Sequence, residues 1–527
     1  MITFSLLFTF ALALIFFTRL IPRLFYPYAI TSDTYFHLDI ANKIRENGFV
    51  VPEINKNYII PHRHLYPSLY HQFLALFGNK YRLSVERLSG ALFDTLIALT
   101  MGLFAINYFP LYGIGNVEWI VVMACILYCV YPMIIRVSGG PRSFNGSPRV
   151  LGQLFFVLNI ATFLMYNSLG SWYFFVLSSL AVGLLIVTAK FAFQVVVFFT
   201  PFVCIFISWH YILIFFAGFL LSAIFTKGKV LRIINDNIRH SYFYYFAQKN
   251  LLYPSQILLS SYFKSCFTAL NDLRHFKIRA FTYWAMNQKF YIHLLVVLSP
   301  HILYVFFQPE FIFHNAVTRN LFFIVLLGVI VFFITSIRPF LFLGEAERYI
   351  EYISFPAILL FCTICIEAQK MYIYYGVLIY FFGCSIYYLP SITLFLKNLE
   401  KNYFNFFDIG QLIRSKKDCV IMPLVYFHCK ELVYHCDCKV VSYYPANVDK
   451  KLFSEQEIDF MYYKQGHMLS ANIVEVSIKH NVDYIFAFRK DLESFNSIVY
   501  TQGSLDFFNH FNVVYDQNEM LLLEIKK

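Results

Sequence analysis

The sequence predicts a polytopic, all-α membrane protein that ends in a small soluble α/β domain. Of its 527 residues, 59% are hydrophobic and only 14% are charged, and the mean hydropathy is +0.59. A soluble domain carries about 25% charged residues, so this chain lacks the polar surface that it would need in water. Apolar segments of membrane-spanning length recur as far as residue 396, and from about residue 399 the composition becomes that of a soluble domain.

About eleven transmembrane helices are expected, because a span needs about 20 apolar residues to cross a hydrocarbon core of about 30 Å. The candidate segments are 2–19, 88–107, 117–135, 151–168, 171–188, 191–208, 211–226, 290–308, 321–337, 352–368 and 371–396. The first segment lacks a basic amino-terminal region and a small-residue cleavage site, so it is interpreted as a retained helix. The chain is therefore expected to be an integral, multi-pass protein of the inner or plasma membrane.

The polar segments are predicted to lie on one side of the membrane. Under an eleven-span topology that side holds a first loop, 20–87, a short loop at 136–150, a basic loop, 227–289, another short loop at 338–351, and the soluble domain. We expect a transmembrane catalytic domain over 1–398 and an α/β domain over 399–527. The opposite side is closed by short, nearly uncharged turns.

The first loop contains TSDTYFHLDIANKIRENGF, residues 31–49, in which Asp33, His37 and Asp39 lie within seven residues, just beyond the first span. A helix capped by Ser32 or Asp33 and stopped near Gly48 is predicted. Asp33 and His37 then lie one turn apart on the same face. A purely structural interpretation is also open, in which Asp33 caps the helix and Asp39 is merely solvated.

The same loop resembles that of GT-C glycosyltransferases, and in layout that of oligosaccharyltransferase catalytic subunits. The shared features are an acid followed by an aromatic residue, a polar helix ending in glycine, and a later YPSLYH that begins at Tyr66. The resemblance implies transfer of a sugar from a polyprenyl-phosphate or polyprenyl-pyrophosphate carrier. It makes Asp33 a general base or metal ligand and Asp39 a second catalytic candidate, with His37 and Tyr66 as substrate-binding residues. It also implies a possible divalent cation, Mg²⁺ or Mn²⁺.

Glycosyl transfer needs cationic groups that stabilise the phosphate leaving group as its charge grows. The segment VSGGPRSFNGSPRVLGQ, residues 137–153, offers Arg142 and Arg149 in a glycine-containing loop. Guanidinium groups can contact phosphate through two parallel hydrogen bonds. Both arginines are therefore candidate phosphate ligands, and Arg149 is preferred because it borders the next span. A solvated loop anchored at lipid headgroups is the alternative.

A second charged cluster precedes the tenth span in RPFLFLGEAERYIEYISFP, residues 338–356. It resembles an E-x-x-R-Y/F motif of bacterial and archaeal GT-C proteins. The resemblance makes Arg348 a ligand of the carrier phosphate, and makes Glu345 or Glu347 a second acid or metal ligand. The alternative is an ion-pair cluster that fixes the depth of the helix at the membrane interface.

The basic loop alternates Lys and Arg with aromatic residues, which favours a membrane-surface segment over anionic lipid or a lid over the carrier lipid. Nucleic-acid binding is not expected. The soluble domain contains apolar runs of strand length, such as CVIMPLVYF and VDYIFAF, and no chemistry is assigned to it.

The predicted function is transfer of a sugar from a polyprenyl-phosphate-linked donor to a glycan, lipid or protein acceptor. No WWDYG signature is present, which favours a monosaccharide transferase over oligosaccharide transfer to asparagine. A lipid-linked glycan polymerase or ligase and a lipid-glycan transporter are the alternatives. The resemblance places the catalytic face outside the cytoplasm, whereas the arginine-rich loops, under the positive-inside rule, favour the cytoplasm.

Overall fold

The computed structural model describes residues 2–24, 32–52, 56–60, 67–135, 148–248, 259–287, 297–298, 304, 307–344, 346–414, 416, 418–425, 428–441, 454, 456–457, 473–489, 492, 511–517 and 519–526. The helices are α1 Ile2–Leu24, α2 Ser32–Glu46, α3 Leu69–Ala75, α4 Asn79–Tyr108, α5 Val117–Cys129, α6 Pro132–Ile135, α7 Pro148–Leu169, α8 Trp172–Ile186, α9 Lys190–Phe206, α10 Tyr211–Phe225, α11 Lys229–Gln248, α12 Leu259–Arg274, α13 Ile278–Asn287, α14 Pro309–Phe313, α15 Ala316–Thr335, α16 Glu347–Glu367, α17 Met371–Arg414, α18 Cys429–Cys436 and α19 Ile473–Lys479. Short 3₁₀ turns occupy Phe109–Tyr112 and Arg338–Leu343.

The expected α-helical membrane bundle is present, but the count of about eleven spans is not confirmed. Among the described residues, six helices are long and apolar enough to cross a membrane: α1, α4 with its 3₁₀ extension, α7, α15, α16 and the first part of α17. Helices α5, α8, α9 and α10 coincide with predicted spans but are shorter than the 20 residues that 30 Å requires. Most of the predicted span at 290–308 lies outside the described residues.

The basic loop begins with a sharp change of direction. Helices α10 and α11 meet at an angle of 112° across a break around Gly228, where the chain adopts a left-handed conformation. Helices α12 and α13 pack together, and the Trp284 indole donates a 2.6 Å hydrogen bond to Ser265 Oγ. Apolar side chains such as Phe267 and Phe276 remain exposed, which fits the expected contact with a lipid surface.

Two buried ion pairs connect α1 with α4 inside the bundle. Arg19 Nε contacts Asp94 Oδ2 at 3.1 Å, and Arg23 Nη2 contacts Glu86 Oε2 at 2.6 Å. All four side chains are at most 1% exposed. Arg19 also donates to the backbone carbonyl groups of residues 128 and 129, which end α5. Charges within apolar helices are costly unless paired, so these contacts fix the three helices together.

Small residues allow α8 and α10 to pack closely. A Cβ atom at Gly218 would lie 2.6 Å from the Cβ atom of Val182, and one at Gly183 would lie 2.9 Å from the Gly218 carbonyl oxygen. Asn159 of α7 donates to Ser178 Oγ at 2.8 Å and accepts a 2.6 Å hydrogen bond from the Tyr211 hydroxyl. Close backbone approach and interhelical hydrogen bonds are the usual means of helix association in lipid.

The carboxy-terminal part contains the predicted α/β domain. Its five strands are β1 Val420–Pro423, β2 Lys439–Val440, β3 Tyr484–Phe488, β4 Phe511–Gln517 and β5 Met520–Ile525. They form one mixed sheet in the order β2-β1-β3-β5-β4, in which β1 is parallel to β2 and β3, and β5 is antiparallel to β3 and β4. Helix α17 runs unbroken across the boundary predicted at residues 398 and 399, and its end packs into the core of the domain through Phe406, Ile409 and Ile413.

The first loop and the soluble domain share one hydrophobic core. Tyr58 and Ile60 of the first loop are buried in the domain's apolar cluster. The Ile59 and Ile60 amides donate to the carbonyl groups of residues 440 and 441 at 2.9 and 2.8 Å, and Val440 donates to the Asn57 carbonyl at 2.8 Å. The loop thereby extends the sheet beyond β2 by backbone hydrogen bonding. The domain is thus attached to the loop that carries Asp33.

Candidate functional site

Helix α2 presents the sequence-predicted acid at its amino-terminal end. Ile40, Ala41 and Ile44 are at most 2% exposed and form the apolar face that the 3.6-residue period predicts. The helix ends at Glu46, and Gly48 follows with φ of 62°, the conformation of a helix-stop residue. Asp33 lies in the first turn, where the helix dipole favours a negative charge.

Asp33 makes an ion pair with a residue of the soluble domain. The Lys430 ammonium donates to Asp33 Oδ1, and the same Nζ atom lies 5.3 Å from the centre of the Phe36 ring. Lys430 is only 3% exposed, whereas the Asp33 side chain is 68% exposed. The lysine is therefore buried beneath the carboxylate, which itself remains open to solvent.

This contact lowers the pKa of Asp33. Chiefly the positive charge of Lys430, with smaller contributions from His37 and Arg348, lowers the pKa of the Asp33 carboxyl from 3.8 to about 2. Burial acts in the opposite direction and is the second-largest effect, smaller than the charge of Lys430. Asp33 is consequently ionised over the whole physiological pH range.

A buried histidine pair lies beside Asp33. His37 Nδ1 and His71 Nε2 are 2.8 Å apart, so one ring donates to the other. Their residues are 7% and 0% exposed, and burial lowers the pKa of His37 to about 4, against the attraction of Asp33. His71 belongs to α3, whose Leu69 amide is hydrogen-bonded to the Val187 carbonyl. A hydrogen-bonded histidine pair thus connects α2 with α3 beside the candidate acid.

The second predicted acid, Asp39, has a different environment. Lys43, one turn later on α2, contacts Asp39 Oδ2 at 2.6 Å, and Asp39 is 8% exposed. Six residues separate Asp39 from Asp33, so the two carboxylates leave the helix in different directions. A catalytic role for Asp39 stays a prediction.

Of the predicted phosphate ligands, Arg348 has an electrostatic connection to the acid. It is near enough to lower the pKa of the Asp33 carboxyl, and its guanidinium carbon lies 4.5 Å from the centre of the Phe191 ring. Lys190, at the start of α9, interacts electrostatically with the same arginine. Arg348 and Lys190, which belong to different helices, therefore interact with each other, and of the two it is Arg348 that acts on Asp33.

Arg149, another predicted phosphate ligand, lies at the contact between α7 and α16. Arg149 Nε is 3.4 Å from Glu351 Oε2, and Gln153 Nε2 donates to the Glu351 carbonyl at 2.6 Å. Glu347 is 3% exposed in the first turn of α16. Arg149 thus bonds to the charged cluster that precedes the tenth predicted span. Tyr66, Arg142 and Glu345 lie outside the described residues, and their roles stay predictions.

The direct neighbours of Asp33 bear on whether a divalent cation could bind there. Hard cations such as Mg²⁺ and Mn²⁺ select several oxygen ligands. Asp33 instead has a lysine as its direct partner and an arginine nearby. In the part of the chain that the structure describes, no group of three or more His, Cys, Asp or Glu side chains is placed to hold a metal. Binding of a divalent cation by Asp33 or Glu347 therefore stays a prediction.

Sequence reasoning missed Lys430 and His71. Lys430 lies 397 residues from its partner, in a domain to which no chemistry was assigned. His71 is the final residue of the YPSLYH motif, so its position beside His37 had a signal in the sequence that was not used.

Comparison with known proteins identifies the fold. No protein-family model and no curated protein sequence matches the chain. Among solved structures, oligosaccharyltransferase from Archaeoglobus fulgidus in complex with Zn and sulfate matches with a TM-score of 0.51 and 11% identity, covering 98% of this chain and 73% of that chain. The same organism's oligosaccharyltransferase AglB, with an inhibitory peptide and a dolichol-phosphate, matches with a TM-score of 0.51 and 11% identity over 99% and 74%.

A shorter protein matches over nearly the whole length of both chains. ArnT from Cupriavidus metallidurans bound to undecaprenyl phosphate gives a TM-score of 0.53 at 10% identity and covers 98% of this chain and 97% of that chain. These neighbours are GT-C glycosyltransferases. The fold implied by the first-loop resemblance is therefore confirmed, and at this identity the likeness concerns the fold.

Proposed function

We propose that this protein is a membrane glycosyltransferase that moves a sugar from a polyprenyl-phosphate-linked donor to a glycan, lipid or protein acceptor. The observation that carries the proposal is the ionised, solvent-exposed Asp33 at the start of α2, within the fold of enzymes whose structures hold dolichol-phosphate or undecaprenyl phosphate. A fold alone hosts many functions, so the proposal depends on this site.

Asp33 has the access and the charge for contact with an acceptor. In the transfer, the acceptor heteroatom bonds to the anomeric carbon as the bond from that carbon to the phosphate oxygen breaks. The acceptor's proton passes to the Asp33 carboxylate, and the electron pair of the broken bond remains on the phosphate. A carboxylate of low pKa is a weak base, so Asp33 first orients the acceptor and takes the proton late, when the new bond has made it acidic.

The leaving phosphate is assigned to the cations that approach Asp33 from the bundle. Arg348 is the first ligand, because its charge already acts on Asp33, and Lys190 is placed to assist it. Arg149 belongs to the adjoining cluster through Glu351. Positive groups at this position stabilise the charge that the phosphate gains in the transition state. No step is assigned to a metal ion.

The face that carries α2 and the soluble domain is proposed to be extracytoplasmic, as the GT-C resemblance implies. A basic face is also what a phosphate carrier requires, which accounts for arginines on this side. A tag at the carboxy-terminus should be cut by protease added to intact spheroplasts. Protection of the tag until the cells are opened would contradict this orientation.

The proposal is tested with the full chain in lipid nanodiscs. Undecaprenyl phosphates carrying radiolabelled hexoses or pentoses are supplied with glycans and lipids extracted from the source membrane. Acceptor-dependent transfer of label by the wild type, absent with nucleotide sugars and absent for Asp33→Asn, is expected. Full transfer by the folded Asp33→Asn variant, or no turnover of any polyprenyl-linked donor, would contradict the proposal.

A further inference from the structure

The soluble domain approaches the candidate acid through α18. The rings of Tyr434 and His435 of α18 contact the Tyr35 ring in a tilted and an edge-to-face arrangement, with ring centres 5.3 and 4.6 Å away. The neighbouring residues 57–60 are joined to the edge of the sheet by backbone hydrogen bonds. Two separate contacts thus hold the domain against the first loop. The position of α18 relative to α2 is therefore fixed at both ends of this surface.

The packing of α18 restricts the position of the Lys430 side chain. Its flanking residue Cys429 and the core residue Leu432 are completely buried, and the lysine itself is 3% exposed. A buried ammonium is costly unless it is paired, and here its partner is the carboxylate of Asp33. The stem lies beside Phe36, whose ring lies 5.3 Å from the ammonium. The lysine is thereby held in one direction, towards Asp33.

We propose that Lys430 is a positioning residue of the transferase site, which holds the Asp33 carboxylate in the orientation needed for the acceptor. The inference rests on the proposed function and adds a role for the soluble domain, which completes the site by supplying this ammonium. The lysine contacts one carboxylate oxygen, Oδ1, and the exposed surface of Asp33 is available to an acceptor group.

This arrangement predicts a specific kinetic signature. Lys430 acts through Asp33 and makes no contact with the carrier phosphate in the proposed site, so its removal should reduce kcat and leave KM for the donor nearly unchanged. A well-placed general base contributes about 10²–10⁴-fold to a rate. The variant Lys430→Gln keeps the Asp33 carboxylate but no longer orients it, so kcat should fall by a smaller factor, about 10- to 100-fold.

The test compares Lys430→Gln with Lys430→Arg in nanodiscs, with undecaprenyl-phosphate-linked radiolabelled hexose or pentose as donor. Lys430→Arg retains a cation and should recover most of the kcat lost by Lys430→Gln. Lys439→Met is the matched control, because Lys439 belongs to the same domain and pairs with Asp418 at 2.8 Å on an exposed surface. The control should keep wild-type kcat and KM.

Each outcome decides the role of the lysine. Equal kcat for the wild type and Lys430→Gln, or an equal loss for Lys430→Gln and Lys430→Arg, overturns the proposal. A loss of activity that only follows a loss of folded protein in thermal melts also overturns it, since the lysine is then structural. If Asp33→Asn is inactive while Lys430→Gln is fully active, the role of Lys430 is refuted and the proposed function stands. If Asp33→Asn is fully active, the proposed function itself is refuted.

Discussion

The ion pairs inside the helical bundle and the ion pair at the candidate site differ in how exposed their side chains are. The pairs of Arg19 with Asp94 and Arg23 with Glu86 are at most 1% exposed on both sides and lie between helices of the bundle. The pair of Lys430 with Asp33 buries the cation and leaves the carboxylate 68% exposed. A pair closed on both sides can only hold helices together. A pair open at its acid can also meet a substrate, and this asymmetry separates the candidate site from the scaffold.

The largest effect is expected from Asp33→Asn. The amide keeps the shape of the side chain and loses the charge and the proton acceptor, so kcat should fall by about 10²–10⁴-fold. Some stability should also be lost, because the buried Lys430 ammonium is left without its carboxylate partner, but less than for a pair that is buried on both sides. Transfer assays and thermal melts on the same preparation check both expectations. A large loss of stability with unchanged specific activity of the folded fraction would show that Asp33 is structural, like the ion pairs inside the bundle.

The opposite pattern is expected for Asp94→Asn. Removing one partner of a buried pair leaves Arg19 uncompensated and should destabilise the protein by about 3–5 kcal/mol. The specific activity of the protein that remains folded should be near that of the wild type. Thermal melting in detergent measures the loss.

A double variant serves as the control for the buried pair. Arg19→Met combined with Asp94→Leu removes both charges and should recover much of the stability lost by Asp94→Asn. Recovery should be incomplete, because the carbonyl groups of residues 128 and 129 lose their guanidinium donor. A double variant as unstable as Asp94→Asn would show that the cost does not come from the unpaired charge.

The pH dependence of kcat/KM should be flat on the acid side down to about pH 5. The Lys430 charge lowers the pKa of Asp33 to about 2, so the carboxylate forms above that pH and is lost only as the pH falls through it. Burial lowers the pKa of His37 to about 4, so this imidazole is neutral above that value. Lys430 and Arg348 are the other charged groups that act on Asp33. An acid limb with a midpoint between pH 6 and 7 would contradict this assignment.

The smallest effect is expected from Asp39→Asn. Its carboxylate is paired with Lys43 on its own helix, and such pairs contribute about 0.3–0.5 kcal/mol. We expect less than a tenfold loss of kcat and a melting temperature close to that of the wild type. A loss as large as that of Asp33→Asn would make both acids catalytic and remove the distinction that exposure draws between them.

Local sequence determined the class of the protein and the position of its candidate acid. Apolar segment length depends only on neighbouring residues, so the positions of ten predicted spans coincide with helices in the described part of the chain. The apolar period of α2 and the glycine at position 48 likewise predicted a helix after the first span, with Asp33 in its first turn. Apolar segment length did not give the number of membrane-spanning helices, because four of these helices are individually too short to cross the membrane.

Tertiary structure decided which charges meet. Arg19 and Asp94 are 75 residues apart, and Lys430 and Asp33 are 397 apart, so no periodicity connects them. Their pairing depends on how α1 packs on α4 and on how the loop segment at 57–60 joins the sheet of the soluble domain. The sequence by itself thus determined a membrane protein with an acid at the start of a loop helix. Only the packing of the soluble domain, which supplies Lys430, gave that acid its buried partner and its lowered pKa, because electrostatic partners are set by distance in space.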